Sequence, residues 1–172
     1  MTMQYDVKSA HLGNSGQLLT GRARLKQLTY LGNGSQAGVL ALFDSTTAPV
    51  SAVYARSGNT VTVTKTGHGL STGATVGIAY SAATGVSATD GNYTITVVDA
   101  NTFTITDPNS GSVSGGTSCF YVNTGATWLT TFDTLSGSTA GQQVLIPGEG
   151  LLFVNGVYAQ MQYISMVTVF YG

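Results

Sequence analysis

The sequence predicts an all-β chain, a small β-sandwich or barrel host domain with a second small β-barrel inserted into it. Period-two and β-branched runs recur from end to end, and no apolar set at i, i+3, i+4 and i+7 extends over three turns. Asn33-Gly34, Asp90-Gly91 and Asn155-Gly156 supply the positive φ angles that tight turns demand. Composition agrees: of 172 residues only 8 % are charged, 42 % are hydrophobic and 23 are glycine, with Ser, Thr and Asn filling the polar positions. Helical bundles need Glu, Lys and Leu, and long disordered tails need charge or proline. Neither class fits.

Taken in order, Ser9 to Gly21 reads as extended chain with a turn at Gly13-Asn14-Ser15-Gly16. Such an arm has little core of its own and would be anchored by a neighbouring molecule. Arg22, Arg24 and Lys26 follow, alternating so that all three would project from one face of a strand. Strands are expected at Val39–Phe43, Thr60–Thr64, Thr75–Tyr80, Tyr93–Val98, Thr102–Thr106 and Trp128–Phe132. Further runs cover Leu151–Val154, Val157–Tyr163 and Val167–Tyr171. Ser110 to Ser118 is a Gly/Ser tract, expected as a mobile hairpin tip or a linker. Leu151–Val154 and Val157–Gln160, flanking Asn155-Gly156, are expected to pair as a hairpin. No charge follows Glu149, but Asn155, Gln160 and Gln162 interrupt the stretch, so it reads as β structure and not as a membrane span.

Texture divides the chain. Between Ala48 and Asn123, Thr, Gly, Ser and Ala become dense, and Asp90, Asp99 and Asp107 face only Arg56 and Lys65. The flanks hold Lys8, Arg22, Arg24 and Lys26 against Asp6, Asp44, Asp133 and Glu149, with most of the Leu, Phe and Met. Val39–Asp44 and Thr127–Asp133 both read as core strands ending in Asp, and loop tips tolerate insertions. A discontinuous host of residues 1–48 and 124–172, for docking and oligomerisation, with a guest module at 49–123, is therefore expected.

The stock of chemical groups is thin. A formal net charge of −1 gives no long-range pull on nucleic acid or anionic lipid. The single Cys119 cannot form an internal disulfide, and its apolar run suggests a small buried hydrophobe. His68 between two glycines marks a turn, and His11 sits in the arm. Asp90 and Asp107 suit Asx turns. There is no HExxH, EF-hand loop, P-loop or paired Cys/His spacing, so no metal, cofactor or catalytic residue is expected. A polysaccharide hydrolase would need two carboxylates about 5 to 9 Å apart, and only Asp44 and Asp133 offer themselves. The residues expected at an interface are Arg22, Arg24 and Lys26, because Arg forms directional contacts to acidic neighbours, together with Glu149 in the turn Pro147-Gly-Glu-Gly150. The start of the chain lacks the basic and apolar regions of a secretory signal.

Three blocks in order, His68-Gly-Leu-Ser-Thr-Gly-Ala-Thr-Val76, Asp90-Gly-Asn-Tyr-Thr-Ile-Thr96 and Asn101-Thr-Phe-Thr-Ile105, resemble a small β-barrel module recurrent in tailed-phage virion proteins. That module is often labelled after the first catalytic-cysteine half-domain of ubiquitin-activating enzymes. The label names a barrel, and no adenylation or thioester chemistry comes with it. The flanks, in Tyr5-Asp-Val-Lys-Ser-Ala-His11, Gly21-Arg-Ala-Arg-Leu-Lys26, Val144-Leu-Ile-Pro-Gly-Glu-Gly150 and Val167-Thr-Val-Phe-Tyr-Gly172, resemble a small β protein of podovirus-like phages of marine bacteria. The resemblance implies a non-enzymatic virion structural protein, made in the host bacterial cytoplasm. The expected role is head decoration or cement, as a homo-oligomer bound to the major capsid protein or other virion proteins, without nucleic acid or membrane. The alternative is a tail- or fibre-associated protein whose guest module binds a host-surface glycan.

Overall fold

The computed structural model of the chain describes residues 7–123 and 125–172. Tyr5 and Asp6 of the first phage-like block lie outside the described residues, as does Thr124 at the expected return from the guest. The described residues form strands and no helix, so the all-β expectation holds. In chain order the strands are β1 (Lys8–Leu12), β2 (Gly16–Thr20), β3 (Ala23–Gly32), β4 (Val39–Asp44), β5 (Val50–Thr64), β6 (Thr75–Tyr80) and β7 (Gly91–Thr94). Then come β8 (Thr96–Asp99), β9 (Thr102–Val122), β10 (Thr127–Asp133), β11 (Gly141–Leu145), β12 (Leu151–Phe153), β13 (Gly156–Gln162) and β14 (Ile164–Tyr171).

Contacts divide the chain into two compact units. Unit 1 takes the residues up to Leu40, Asp44–Thr47 and Phe132–Gly172; unit 2 takes Ala41–Phe43 and Ala48–Thr131. The division passes through β4 and β10.

In unit 1, an antiparallel sheet runs in the order β1-β14-β3-β11, with β12 also pairing β3. Its register puts Ala10, Val169, Leu28 and Val144 in line, and Leu28 and Val169 are fully buried, so this line faces the core. Alternation sends the neighbouring line, Ser9, Phe170, Gln27 and Leu145, to the outer face. Strict alternation from Leu28 would also put Leu25 outside, yet Leu25 is fully buried. A β-bulge resolves this: Phe170 and Tyr171 are consecutive on β14 but oppose Gln27 and Leu25, leaving Lys26 as the extra residue. The bulge resets the pleat, so apolar residues on both sides of it reach the core. It also makes the segment look patternless in the sequence.

Two expectations are corrected here. Ser9 to Gly21 is not an arm held by a neighbour, because β1 ladders onto β14 and β2 onto β13 of the same chain. The second concerns Leu151–Val154 and Val157–Gln160, which do not pair with each other. β12 pairs β3 while β13 pairs β2, so Asn155-Gly156 carries the chain between ladders instead of closing a hairpin. The cause is Asp44, whose buried carboxylate accepts the main-chain N–H groups of Val154 (3.0 Å), Asn155 (2.7 Å) and Gly156 (3.1 Å). Of these donors the Val154 N–H is the one a two-residue hairpin would have paired with the Val157 carbonyl, and that carbonyl in turn accepts from Gln17. Gln17 reinforces the corner, its Nε2 donating to the carbonyls of Leu19, Ser45 and Val157.

In unit 2, a sheet of order β5-β9-β6-β7, with β8 on β9, surrounds a core of Tyr54, Val61, Val63, Val76, Ile78, Ile95, Phe103, Cys119 and Tyr121. Edge-to-face rings pack it, with Tyr54 on Tyr80 at 4.6 Å and Phe103 on Tyr121 at 5.5 Å. The expected strand Tyr93–Val98 is broken at Ile95, whose N–H and C=O bond instead to Ala74 and Gly73. Ser110 to Ser118 lies inside β9, where Gly111, Ser112 and Val113 pair Gly58, Ser57 and Arg56. The tract is a strand because its backbone finds a partner, although its side chains carry little β propensity.

Candidate functional site

The basic residues gather at one end of the β1-β14-β3 ladder. Lys8 opposes Tyr171, Tyr171 opposes Leu25, and Arg24 exchanges main-chain hydrogen bonds with Gly172 at 3.1 Å in each direction. Arg22 is exposed in the turn just before β3, while Arg24 and Lys26 are half-buried within β3. Four of the six Lys and Arg residues of the chain therefore share this end.

Glu149 belongs to the same place. Between β11 and β12 the chain leaves the β3 ladder in the turn Pro147 to Gly150, with Gly148 (φ 66°) and Gly150 (φ 80°) in the left-handed region. The turn arches over the bulge. Lys26 Nζ donates to the main-chain oxygens of Glu149 (2.8 Å) and Gly148 (3.4 Å), and Arg24 Nη1 donates to that of Glu149 (3.3 Å). The structure thus brings Arg24, Lys26 and Glu149 together through main-chain carbonyls, leaving the Glu149 side chain exposed.

Beside this cluster lies a cleft of about 480 Å³ lined by Lys8, Leu18, Leu19, Thr20, Arg22 and Tyr171 with Ala23 and Gly172. The side chains of Lys8 and Arg22 make no hydrogen bond or ion pair among the described residues. The outer face of the sheet continues away from the cluster through Phe170, Gln27 and Leu145 to His11, Thr168, Thr29 and Gln143. None of these is Lys, Arg, Asp or Glu, and Leu145 is 72 % exposed.

Most of the remaining candidates are held by structural contacts. Asp44 is occupied by three N–H donors, as described, and Asp133 is exposed at the end of β10. His68 accepts from Leu70 N–H at Nδ1 (3.0 Å) and reaches the Asp99 carbonyl through Nε2 (3.0 Å), its ring edge-to-face on Phe103. That places the proton on Nε2 and leaves neither nitrogen for chemistry. His11 bonds Thr168 through Nδ1 at 2.9 Å. Cys119 is fully buried, and desolvation pushes its thiol up to about 12, so no thiolate nucleophile is present at neutral pH. Among the described residues no group of three His, Cys, Asp or Glu could hold a metal.

One buried constellation was missed in the sequence. Arg56 and Asp107, both with fully buried side chains, form an ion pair at 3.2 Å. Asp107 also accepts from Thr89 N (2.6 Å), Thr89 Oγ1 (3.0 Å) and Asn109 N (2.8 Å), and only the last is an Asx-turn contact. Arg56 donates to the carbonyls of Gly58, Val86, Ser87 and Asn109. Both charges are saturated, so the pair holds the 86–89 loop against β5 and β9 and offers nothing to a substrate. Tyr93 donates to the Thr89 carbonyl at 2.7 Å, and burial beside Asp107 and Asp90 pushes its phenol up to about 12. The signal in the sequence was a lone Arg and a lone Asp in charge-poor stretches.

No protein-family model matches the chain, and no curated protein matches it. Among solved structures, the chain is similar to one titled "Phage phi92 endosialidase" at 26 % identity, with a TM-score of 0.30 over 66 % of this chain. The match spans 16 % of that protein's length.

Proposed function

We propose that this chain is a non-enzymatic structural component of a tailed-phage virion, most specifically a head-decoration or cement protein that assembles as a homo-oligomer on the capsid surface. One observation carries the reading. The four phage-like blocks, scattered over the sequence, each overlap one of β1, β3, β11 and β14, which are the four strands in line in one sheet of unit 1, the third block reaching β11 only through Val144 and Leu145. Their shared outer face ends in the Arg22, Arg24, Lys26 and Glu149 cluster, so the resemblance falls on a surface and not only on a core. A polar, weakly charged sheet face with an Arg-containing rim suits docking to another virion protein. A cement protein of this kind stabilises the shell by mass action, binding the assembled form and not the dissociated one. Quantitative mass spectrometry of purified parent particles, with immunogold labelling, tests this directly. Stoichiometric protein with gold on the head is expected, and its absence from particles would reject the reading.

A tail- or fibre-associated role has one observation in its favour. Unit 2 carries a shallow cleft of about 350 Å³ lined by Gly69, Leu70, Ser71, Ala74, Thr75 and Asn123 with Gly125. Its hydroxyl and amide groups match the hydrogen-bonding needs of a sugar, and weak sites of that kind act through multivalency. Gold on the tail, together with glycan-array binding by the oligomer, would favour this role over the first.

A further inference from the structure

We propose that the cleft at the basic end of unit 1 is a docking site for an extended acidic segment of another protein, one that alternates carboxylates with apolar residues. The inference rests on the virion-docking reading and names the chemistry of the partner. Lys8 and Arg22 stand exposed at the cleft with no partner among the described residues, and Arg24 and Lys26 add charge beside it while holding the 147–150 turn. Against these four cations the turn offers one exposed carboxylate, Glu149. The local surplus of positive charge sits on a chain of net charge −1, so it is a feature of this surface and not of the whole molecule.

The apolar part of the lining selects the class of anion. Ala23 and the Tyr171 ring are half-buried and give the cleft apolar surface, Leu18 and Leu19 of its lining being buried already, and aliphatic side chains of a peptide would pack there between the cations. A nucleic-acid backbone would leave that surface unused, and four charges give only a modest counterion-release gain. A second copy of this chain is a poor source of the anion. Its seven acids, Asp6, Asp44, Asp90, Asp99, Asp107, Asp133 and Glu149, stand singly along the sequence, so no segment of this chain alternates carboxylates with apolar residues. The occupant is therefore a different, acidic protein.

The test is a fluorescence-anisotropy titration of the full chain with a labelled peptide of alternating glutamate and valine, beside a single-stranded oligonucleotide of equal charge. Wild-type protein is expected to bind the peptide more tightly than the oligonucleotide, with binding weakened by salt. The Lys8→Glu/Arg22→Glu variant is expected to lose roughly tenfold in affinity, about 1.4 kcal/mol. Lys65→Glu, which makes a single charge reversal in unit 2, should bind as wild type. Both sets of positions are exposed or half-exposed, so the fold should be unaffected, and circular dichroism checks this. Equal binding by wild type and the double variant, tighter binding of the oligonucleotide, or no peptide binding would each overturn the cleft assignment. If the protein is nonetheless found in purified particles, the virion reading stands while this inference falls.

Discussion

Asp44 shows how one carboxylate decides a local fold. Three main-chain donors converge on it, and hydrogen bonds to a charged acceptor are worth about 1.5–3 kcal/mol each before relaxation. Asp44→Ala is expected to lower unfolding free energy by about 3 kcal/mol or more in urea denaturation, well beyond an ordinary surface change. Arg56 and Asp107 set up a different test, because removing one partner leaves a buried uncompensated charge. Arg56→Met should cost about 3–5 kcal/mol, and adding Asp107→Leu should recover part of that loss. Cys119 gives a pH signature. Its folded-state value, about 12, lies above the usual 9.0, so the folded state holds the thiol proton more tightly. That contribution is fully present below pH 9 and is lost as pH rises from about 9 toward 12. Thermal unfolding between pH 8 and pH 10 should show stability falling with pH in the wild type and falling less in Cys119→Ala. Iodoacetamide should label the thiol only after denaturation.

At the scale of elements, the runs that matched one pattern over their whole length were legible. Val39–Phe43 and Thr75–Tyr80 became β4 and β6 because β-branched or apolar residues buried on both faces need no external cue. β3 was not legible as a full strand, since the bulge at Lys26 breaks its period and puts Leu25 and Leu28 on the same side. The Ser110–Ser118 tract was misread for the opposite reason: its side chains say flexible, while its backbone is paired to β5, information held some fifty residues away. The Asn155-Gly156 corner failed because Asp44, distant in sequence, outcompeted local turn chemistry. The basic cluster was visible as three alternating cations, but Lys8 and the cleft were not, because only the β1-β14 register brings Lys8 to Arg22. Hydrogen exchange checks the tract. The amides of Val113 and of Ser118–Tyr121 should be protected like those of Val61–Val63, whereas a flexible loop would exchange at once.

At the scale of the whole molecule, two compact β units share a chain whose charge is sparse and whose ionic groups in unit 2 are partly spent on a buried pair. The exposed positive charge of unit 1 is gathered at one end of one sheet, β1-β14-β3-β11. That distribution is the basis for reading unit 1 as the docking half. Light scattering across a dilution series should give a closed homo-oligomer, such as a trimer, whose mass does not change on dilution. Seating of the protein on a phage particle by unit 1 would be visible in cryo-EM of the purified parent virion. Density for both units is expected on the capsid surface, with Lys8, Arg22, Arg24 and Lys26 facing an acidic segment of the neighbouring protein. Particles with full density for their shell and tail and none for this chain would contradict it.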